Sequence, residues 1–282
     1  MVPRTQRPHK VVVGTKYRGL MKYSLHRTGD GRWAHTWVRQ SSIKTADMCL
    51  ERLRTDIYDL APRTETDATA FGTACHAVVE DALNAKINGV IEPLSALQGA
   101  FEYYWEEAET TVDQWHKYTP SDMIPMGHER LAMWHEEVYP NVNPISVEED
   151  YNKVLFEDHE RIVHMRGTID MVEKDCLWDW KFPSRDYAKH KWEYERWDVQ
   201  SIAYCWAMGI PNFKFGIVHP KGVSYIELER DESHTRWLRE KVLALCQFVE
   251  KSQAGGPWPL GDNGWWCSEK WCPNWARCKG AT

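Results

Sequence analysis

Two strand-like runs facing each other across a two-residue gap constrain this chain more than any other feature. The stretch from Met165 to Phe182 reads MRGTIDMVEKDCLWDWKF, and its β-branched and aromatic residues are interrupted at Lys174-Asp175. With those two residues as a tight turn, Glu173 pairs with Cys176, which sets Asp170 opposite Asp179 and Thr168 opposite Lys181. Side chains alternate faces with period two. Asp170, Asp179 and Lys181 therefore share one face, while Ile169, Met171, Trp178 and Trp180 share the other, which is core. Two carboxylates opposed across a hairpin repel unless a cation lies between them. A divalent metal resolves that repulsion, and Lys181 is then placed to stabilise developing phosphoryl charge or to orient an attacking water. An isolated D-x-K on a solvated face carries ordinary charges, so the weight falls on the residues that accompany it.

The surrounding pattern is a mixed layer. Residues 10–40 read as short strands around the turn Gly29-Asp30-Gly31, and Ser42 to Tyr58 reads as one helix. A second helix runs from Ala70 to Asn88, where Gly89 stops it. The acidic stretch 95–138 is helical with breaks near Pro120 and Pro125, and Pro140 and Pro144 mark a linker. Strand character starts at Asn152, a helix covers 198–209, strands cover 213–219 and 224–230, and an amphipathic helix covers 232–253. This order predicts an α/β fold with a mixed sheet flanked by helices.

A net charge of −6 argues against a nucleic-acid partner only if the charge is spread evenly. It is not: residues 1–54 hold twelve Lys/Arg against Asp30, Asp47 and Glu51, whereas 101–150 hold twelve Asp/Glu against Lys117 and Arg130. That asymmetry fits either a surface with one phosphate-facing side or a solvated charge pattern with no partner. The 16 tryptophans fill cores and grooves, with a few available to stack on unpaired bases. No apolar h-region follows a basic stretch at the start, and no run approaches the ~18 apolar residues of a membrane span. A cytoplasmic protein with no membrane partner is the expectation. In a reducing compartment its 8 cysteines read as buried thiols or metal ligands rather than disulfides.

Upstream of the hairpin, Gly72, His76 and Glu80 fall on one helical stripe at i, i+4 and i+8; downstream, Gln200 and Tyr204 repeat the i, i+4 spacing. Each motif is weak alone. The ordered set, G-x-x-x-H-x-x-x-E, then G-x-x-D from Gly167 to Asp170, then D-x-K from Asp179 to Lys181, then Q-x-x-x-Y, resembles the RecB-type nucleases of the PD-(D/E)xK class. The resemblance spans about 70–210 and implies a restriction-endonuclease-like sheet. It implies that His76, Asp170 and Asp179 hold Mg²⁺ or Mn²⁺, that Lys181 is catalytic together with the two aspartates and Glu80, that Glu80 either supports the ligands from behind or is an outer ligand, and that Gln200 and Tyr204 face DNA. The expected activity is that of a DNA exonuclease or end-processing nuclease of recombination, repair or replication. Its substrate would be DNA with free ends, single-stranded or partly unwound, with a helicase or recombination partner. The acidic stretch 95–150 departs from the family pattern. Alternatives are a catalytically silent DNA-binding scaffold and a zinc-stabilised nucleic-acid-binding regulator.

Cys267-x4-Cys272-x5-Cys278 gives three thiols, one short of a tetrahedral set. Cys49 resembles the lone upstream cysteine of RecB-type nucleases that carry an iron–sulfur cluster, including the CRISPR-adaptation branch. By that resemblance Cys49, Cys267, Cys272 and Cys278 hold a [4Fe–4S] cluster that staples the two ends of the fold. Zinc is the competing metal and unconnected buried thiols the third possibility. The expected organisation is a basic region 1–60 with the first cysteine, a nuclease core 61–254 with an acidic insertion about 95–150, and a cysteine segment 255–282.

Overall fold

The alternating run Ile162–Val172 becomes the strand around which the others are arranged, β4. The computed structural model describes residues 21–23, 35–58, 60, 64–116, 118–184, 186, 188–190, 192–195, 197–253, 257–261, 264–272 and 274–278. Ahead of β4 come β1 (Met21–Tyr23), β2 (His35–Val38), α1 (Gln40–Met48), α2 (Leu50–Tyr58), α3 (Asp67–Ile87), α4 (Leu94–Glu109), α5 (Pro120–Glu137) and β3 (Ser146–Glu157). After it come β5 (Leu177–Lys181), α6 (Trp192–Glu195), α7 (Val199–Met208), β6 (Asn212–His219), β7 (Gly222–Glu229), α8 (Glu232–Gln253) and α9 (Trp275–Cys278).

The strands form one mixed sheet in the order β1-β2-β4-β5-β6-β7, with β3 also paired to β4. β3 follows β4 antiparallel along one edge, from Ser146↔Val172 to Glu157↔Ile162. The other edge of β4 is divided. Its first residues pair in parallel with β2, from His35↔Ile162 to Val38↔Met165, and its last two pair antiparallel with β5, at Met171↔Trp178 and Val172↔Leu177. Between those patches the edge from Arg166 to Asp170 has no ladder partner among the described residues, so the sheet opens there. The hairpin turn is the expected one, with the Glu173 amide donating to the Cys176 carbonyl at 2.9 Å.

Each face of the sheet carries its own core. On one, Val163, Met165, Ile169, Leu177 and Phe215 pack with Ile43 of α1, Ile202 of α7 and Leu238 and Val242 of α8. On the other, Met171, Trp178, Trp180 and Val218 pack with Val79 of α3, Phe101 of α4 and Leu131 and Trp134 of α5. Large, branched and aromatic side chains on both faces explain why the central strands read as strands from sequence. Gly216 lets Trp180 lie flat on β6: a Cβ there would meet the indole at 2.4 Å. Among the described residues no helix is long and apolar enough to cross a membrane.

Four expectations need correction, and a fifth falls in part outside the described residues. Ser42–Tyr58 is two helices, because Cys49 is extended at φ −166°, ψ 120°. Pro120 opens α5 at its first turn, where its missing amide costs nothing, and Pro125 lies inside that helix; the break falls earlier, after Glu109. β3 begins at Ser146 rather than Asn152, since its acidic start has little strand propensity but gains a full ladder partner. Ile169 lies in the first core while Met171 lies in the second, so β4 changes cores between them. Of the strands expected in 10–40, β1 and β2 are observed, and the Gly29-Asp30-Gly31 turn lies outside the described residues.

Candidate active site

α3 is a good helix for local reasons: Thr66 and Thr69 form a reciprocal capping box, and Cys75, Val78, Val79 and Ala82 bury one stripe. His76 leaves that stripe and meets β4, its Nδ1 lying 3.3 Å from Asp170 Oδ2. The same Oδ2 accepts the Trp180 amide at 2.7 Å. A carboxylate thus takes the place of a ladder partner where β4 and β5 separate. Across the gap, Asp179 is 2 % exposed; its Oδ2 lies 2.6 Å from Lys181 Nζ and its Oδ1 accepts from Gln200 Nε2 at 2.5 Å.

β3 adds the residue that sequence reasoning missed. Glu148 places a carboxylate oxygen within 4.8 Å of ligand atoms of His76 and Asp170, a grouping able to hold a cation. Its backbone sits at φ 49°, in the left-handed region. Among the described residues it is the only non-glycine with positive φ, and such strain concentrates at functional sites. The acidic run Glu148-Glu149-Asp150 is the available signal, but in the sequence it is continuous with the acidic stretch 95–150, which hides it. Glu80, expected as an outer ligand, is outside that trio yet close enough for Asp170 and His76 to act on it electrostatically.

The charges respond to this crowding. Burial opposes the His76 imidazolium, but Asp170 outweighs it and raises the pKa. Burial likewise opposes ionised Asp170, but His76, Lys181 and the Trp180 amide hold its pKa down. Asp179 goes the other way: burial, with Asp170 adding to it, raises its pKa against the pull of Lys181. Burial pushes Glu148 up to about 8, helped by Asp170 and Glu80. Four acids around one imidazole and one ammonium make a site that favours extra positive charge. The donor set of one imidazole with carboxylates fits Mg²⁺ or Mn²⁺. Asp179 Oδ2, buried and touched by Lys181 without a well-directed hydrogen bond, has a lone pair to spare for such an ion.

α7 sits beneath Asp179, which Gln200 reaches directly and Tyr204 through Gln200. They are 8 % and 2 % exposed. Gln200 donates to Asp179 and to Tyr204 Oη at 3.3 Å, and Gln40 of α1 donates to the same Oη at 3.2 Å. Lys44 reaches both Gln200 Oε1, at 3.3 Å, and Asp198 Oδ1, at 3.2 Å. The i, i+4 spacing correctly put Gln200 and Tyr204 on one stripe; the direction of that stripe was decided by packing.

Cys49, Cys267, Cys272 and Cys278 line one pocket together with Arg52, Gly261 and Asn274. The Gly261 amide donates to Cys49 Sγ at 3.2 Å. Among the described residues no three of these sulfurs lie within 4.8 Å of one another. Cys75, Cys205 and Cys246 are separately buried.

Comparison with known proteins adds a family. The model of the PD-(D/E)XK nuclease superfamily matches residues 38–279. No curated protein matches the chain. Among solved structures, the crystal structure of SSO0001 is similar at 15% identity over 73% of this chain and 85% of that one, with a TM-score of 0.31.

Proposed function

Because the chain belongs to the PD-(D/E)XK nuclease superfamily, we propose that it is a divalent-cation-dependent deoxyribonuclease of RecB type acting on DNA ends. The observation that carries this is the meeting of side chains from four elements where the sheet opens: His76 of α3, Glu148 of β3, Asp170 of β4, and Asp179 and Lys181 of β5. His76, Glu148, Asp170 and Asp179 would hold Mg²⁺ or Mn²⁺. A bound cation of this kind supplies a more acidic water and offsets charge on phosphoryl oxygens. His76 and the Trp180 amide keep Asp170 ionised and aimed. Gln200 fixes the rotamer of Asp179, and Tyr204 with Gln40 fixes Gln200. The Lys181 ammonium is opposed by burial but held charged by Asp179 and Asp170, so it can meet negative charge as that charge appears.

The four thiols are proposed to carry a [4Fe–4S] cluster, zinc being the alternative. Its role is to join α2 to the carboxyl-terminal segment, not to transfer electrons. Substrate ends would be unpaired or partly unwound, delivered by a helicase or recombination partner.

The test is cleavage of end-labelled linear DNA and closed circular DNA by purified protein with Mn²⁺ or Mg²⁺. Linear molecules should be degraded and circles spared. Lys181→Ala should lose cleavage by at least about 100-fold, as when one transition-state donor is removed, with DNA affinity nearly unchanged. Circles lost as fast as linear molecules would remove the exonuclease assignment, and a Lys181→Ala protein cutting at the wild-type rate would remove the site.

A further inference from the structure

Two tryptophans beside the cysteine pocket are exposed in a way that core packing does not explain. Trp265 is 71% and Trp271 42% exposed, and their rings meet edge to face at 5.8 Å and 90°. Trp271 is fixed from behind by His116, stacked at 4.7 Å and 12°. His116 in turn lies 3.5 Å from Asp67, the first residue of α3. Lys270 holds its ammonium 4.9 Å from the Trp271 ring centroid. The result is a braced ring with a cation over it and an open ring at right angles to it.

We propose that Trp265 and Trp271 form a stacking platform for the bases of an unpaired DNA strand, with Lys270 meeting its phosphates; this deepens the nuclease reading and rests on it. Indoles stack on any base, and a neighbouring ammonium supplies the backbone contact that an apolar protein partner would not need. Placement agrees with the chemistry. His76 lies further along the helix that starts at Asp67, about 14 Å away by helical rise. That distance is about four nucleotides at the ~3.4 Å rise of a stacked strand. About four nucleotides thus span the distance from His76 to Asp67, the residue beside which His116 and, stacked on it, Trp271 lie.

The experiment is fluorescence anisotropy of a labelled oligothymidylate with the full-length protein in EDTA, where nothing is cut. Trp265→Ala should weaken binding about 10-fold, within the range for losing one stacked base. Trp265→Phe should recover most of that loss, and blunt duplex should bind both variants like the wild type. Lys270→Ala should weaken binding and shallow the salt dependence by about one phosphate contact. An oligonucleotide carrying abasic positions should bind the wild type as weakly as intact oligonucleotide binds Trp265→Ala, and should be indifferent to that substitution. Unchanged oligothymidylate binding by Trp265→Ala overturns the proposal, as does a change in oligomeric state in sedimentation without a change in DNA binding. Cleavage measured in parallel separates the two readings. Stacking effects in a protein that never cuts would support the platform and remove the nuclease; an active nuclease indifferent to Trp265→Ala would do the reverse.

Discussion

Glu148 is held at φ 49°, a conformation that costs an L-residue about 1–2 kcal/mol, while its carboxylate is crowded by Asp170 and Glu80. Both costs fall on one side chain, and both are offset if a cation binds beside it. Val147 packs in the core under α3 and Tyr151 in the opposite one, so β3 changes cores around Glu148 as β4 does around Asp170. The two acids stand at the same level of the sheet, between the pairs Val147↔Met171 and Glu149↔Ile169. Glu148→Gln should therefore weaken Mn²⁺ binding by about 10-fold or more, in the range seen when support around a metal is lost. Glu148→Gly should weaken it similarly yet raise the melting temperature of the metal-free protein, because strain and repulsion both disappear. Calorimetric titration and thermal melts read these effects independently. Wild-type Mn²⁺ affinity in Glu148→Gln would remove this residue from the site.

At the scale of elements, the separation of α1 from α2 shows a tertiary contact overriding a helical pattern. Cys49 leaves the helix to receive the Gly261 amide, and Gly261 approaches so closely that a Cβ would meet the Met48 carbonyl at 2.2 Å. Asn274, 2 % exposed, donates to Thr55 of α2 at 2.8 Å and strengthens the same junction. Ligation at this joint would turn metal binding into folding free energy. Protein purified without oxygen should be brown and contain iron and acid-labile sulfide. Cys49→Ser should bleach it as fully as Cys272→Ser, each lowering the melting temperature, with cleavage falling as the fold loosens. Colourless wild-type protein holding one zinc would contradict the cluster, and full iron in Cys49→Ser would exclude that thiol.

For the whole molecule, the site makes stability depend on pH in a definite direction. His76 rises from 6.5, Asp179 from 3.8, and Glu148 from 4.5 to about 8. A folded-state pKa raised above its unfolded value gives stability that is complete below the unfolded value and lost as pH rises through the folded one. Asp170 has the opposite sign, but its pKa is lowered from 3.8, so its contribution is lost only in stronger acid. In chelator the melting temperature should thus fall between about pH 5 and pH 8, and the gain from Mn²⁺ should grow across the same interval. A Mn²⁺ gain independent of pH would show that these groups do not share the ion. Much of this arrangement was legible in the sequence, because it depends on short-range periodicity. Strand propensity set β4 and β5, the two-residue turn set the register of their two ladder pairs but not the expected pairs Asp170 with Asp179 and Thr168 with Lys181, and i, i+4 spacing put Gln200 and Tyr204 on one stripe of α7. Those signals act through the backbone geometry of neighbouring residues, and no distant contact is needed to set them. Only the tertiary structure decided that β4 gives up its ladder at Asp170, that Glu148 completes the group with His76, that α7 supports the carboxylates from below, and that Cys49 breaks a helix. Each of these depends on a partner far away in the chain, and local propensities of a few tenths of a kcal/mol per residue carry no information about where that partner will be.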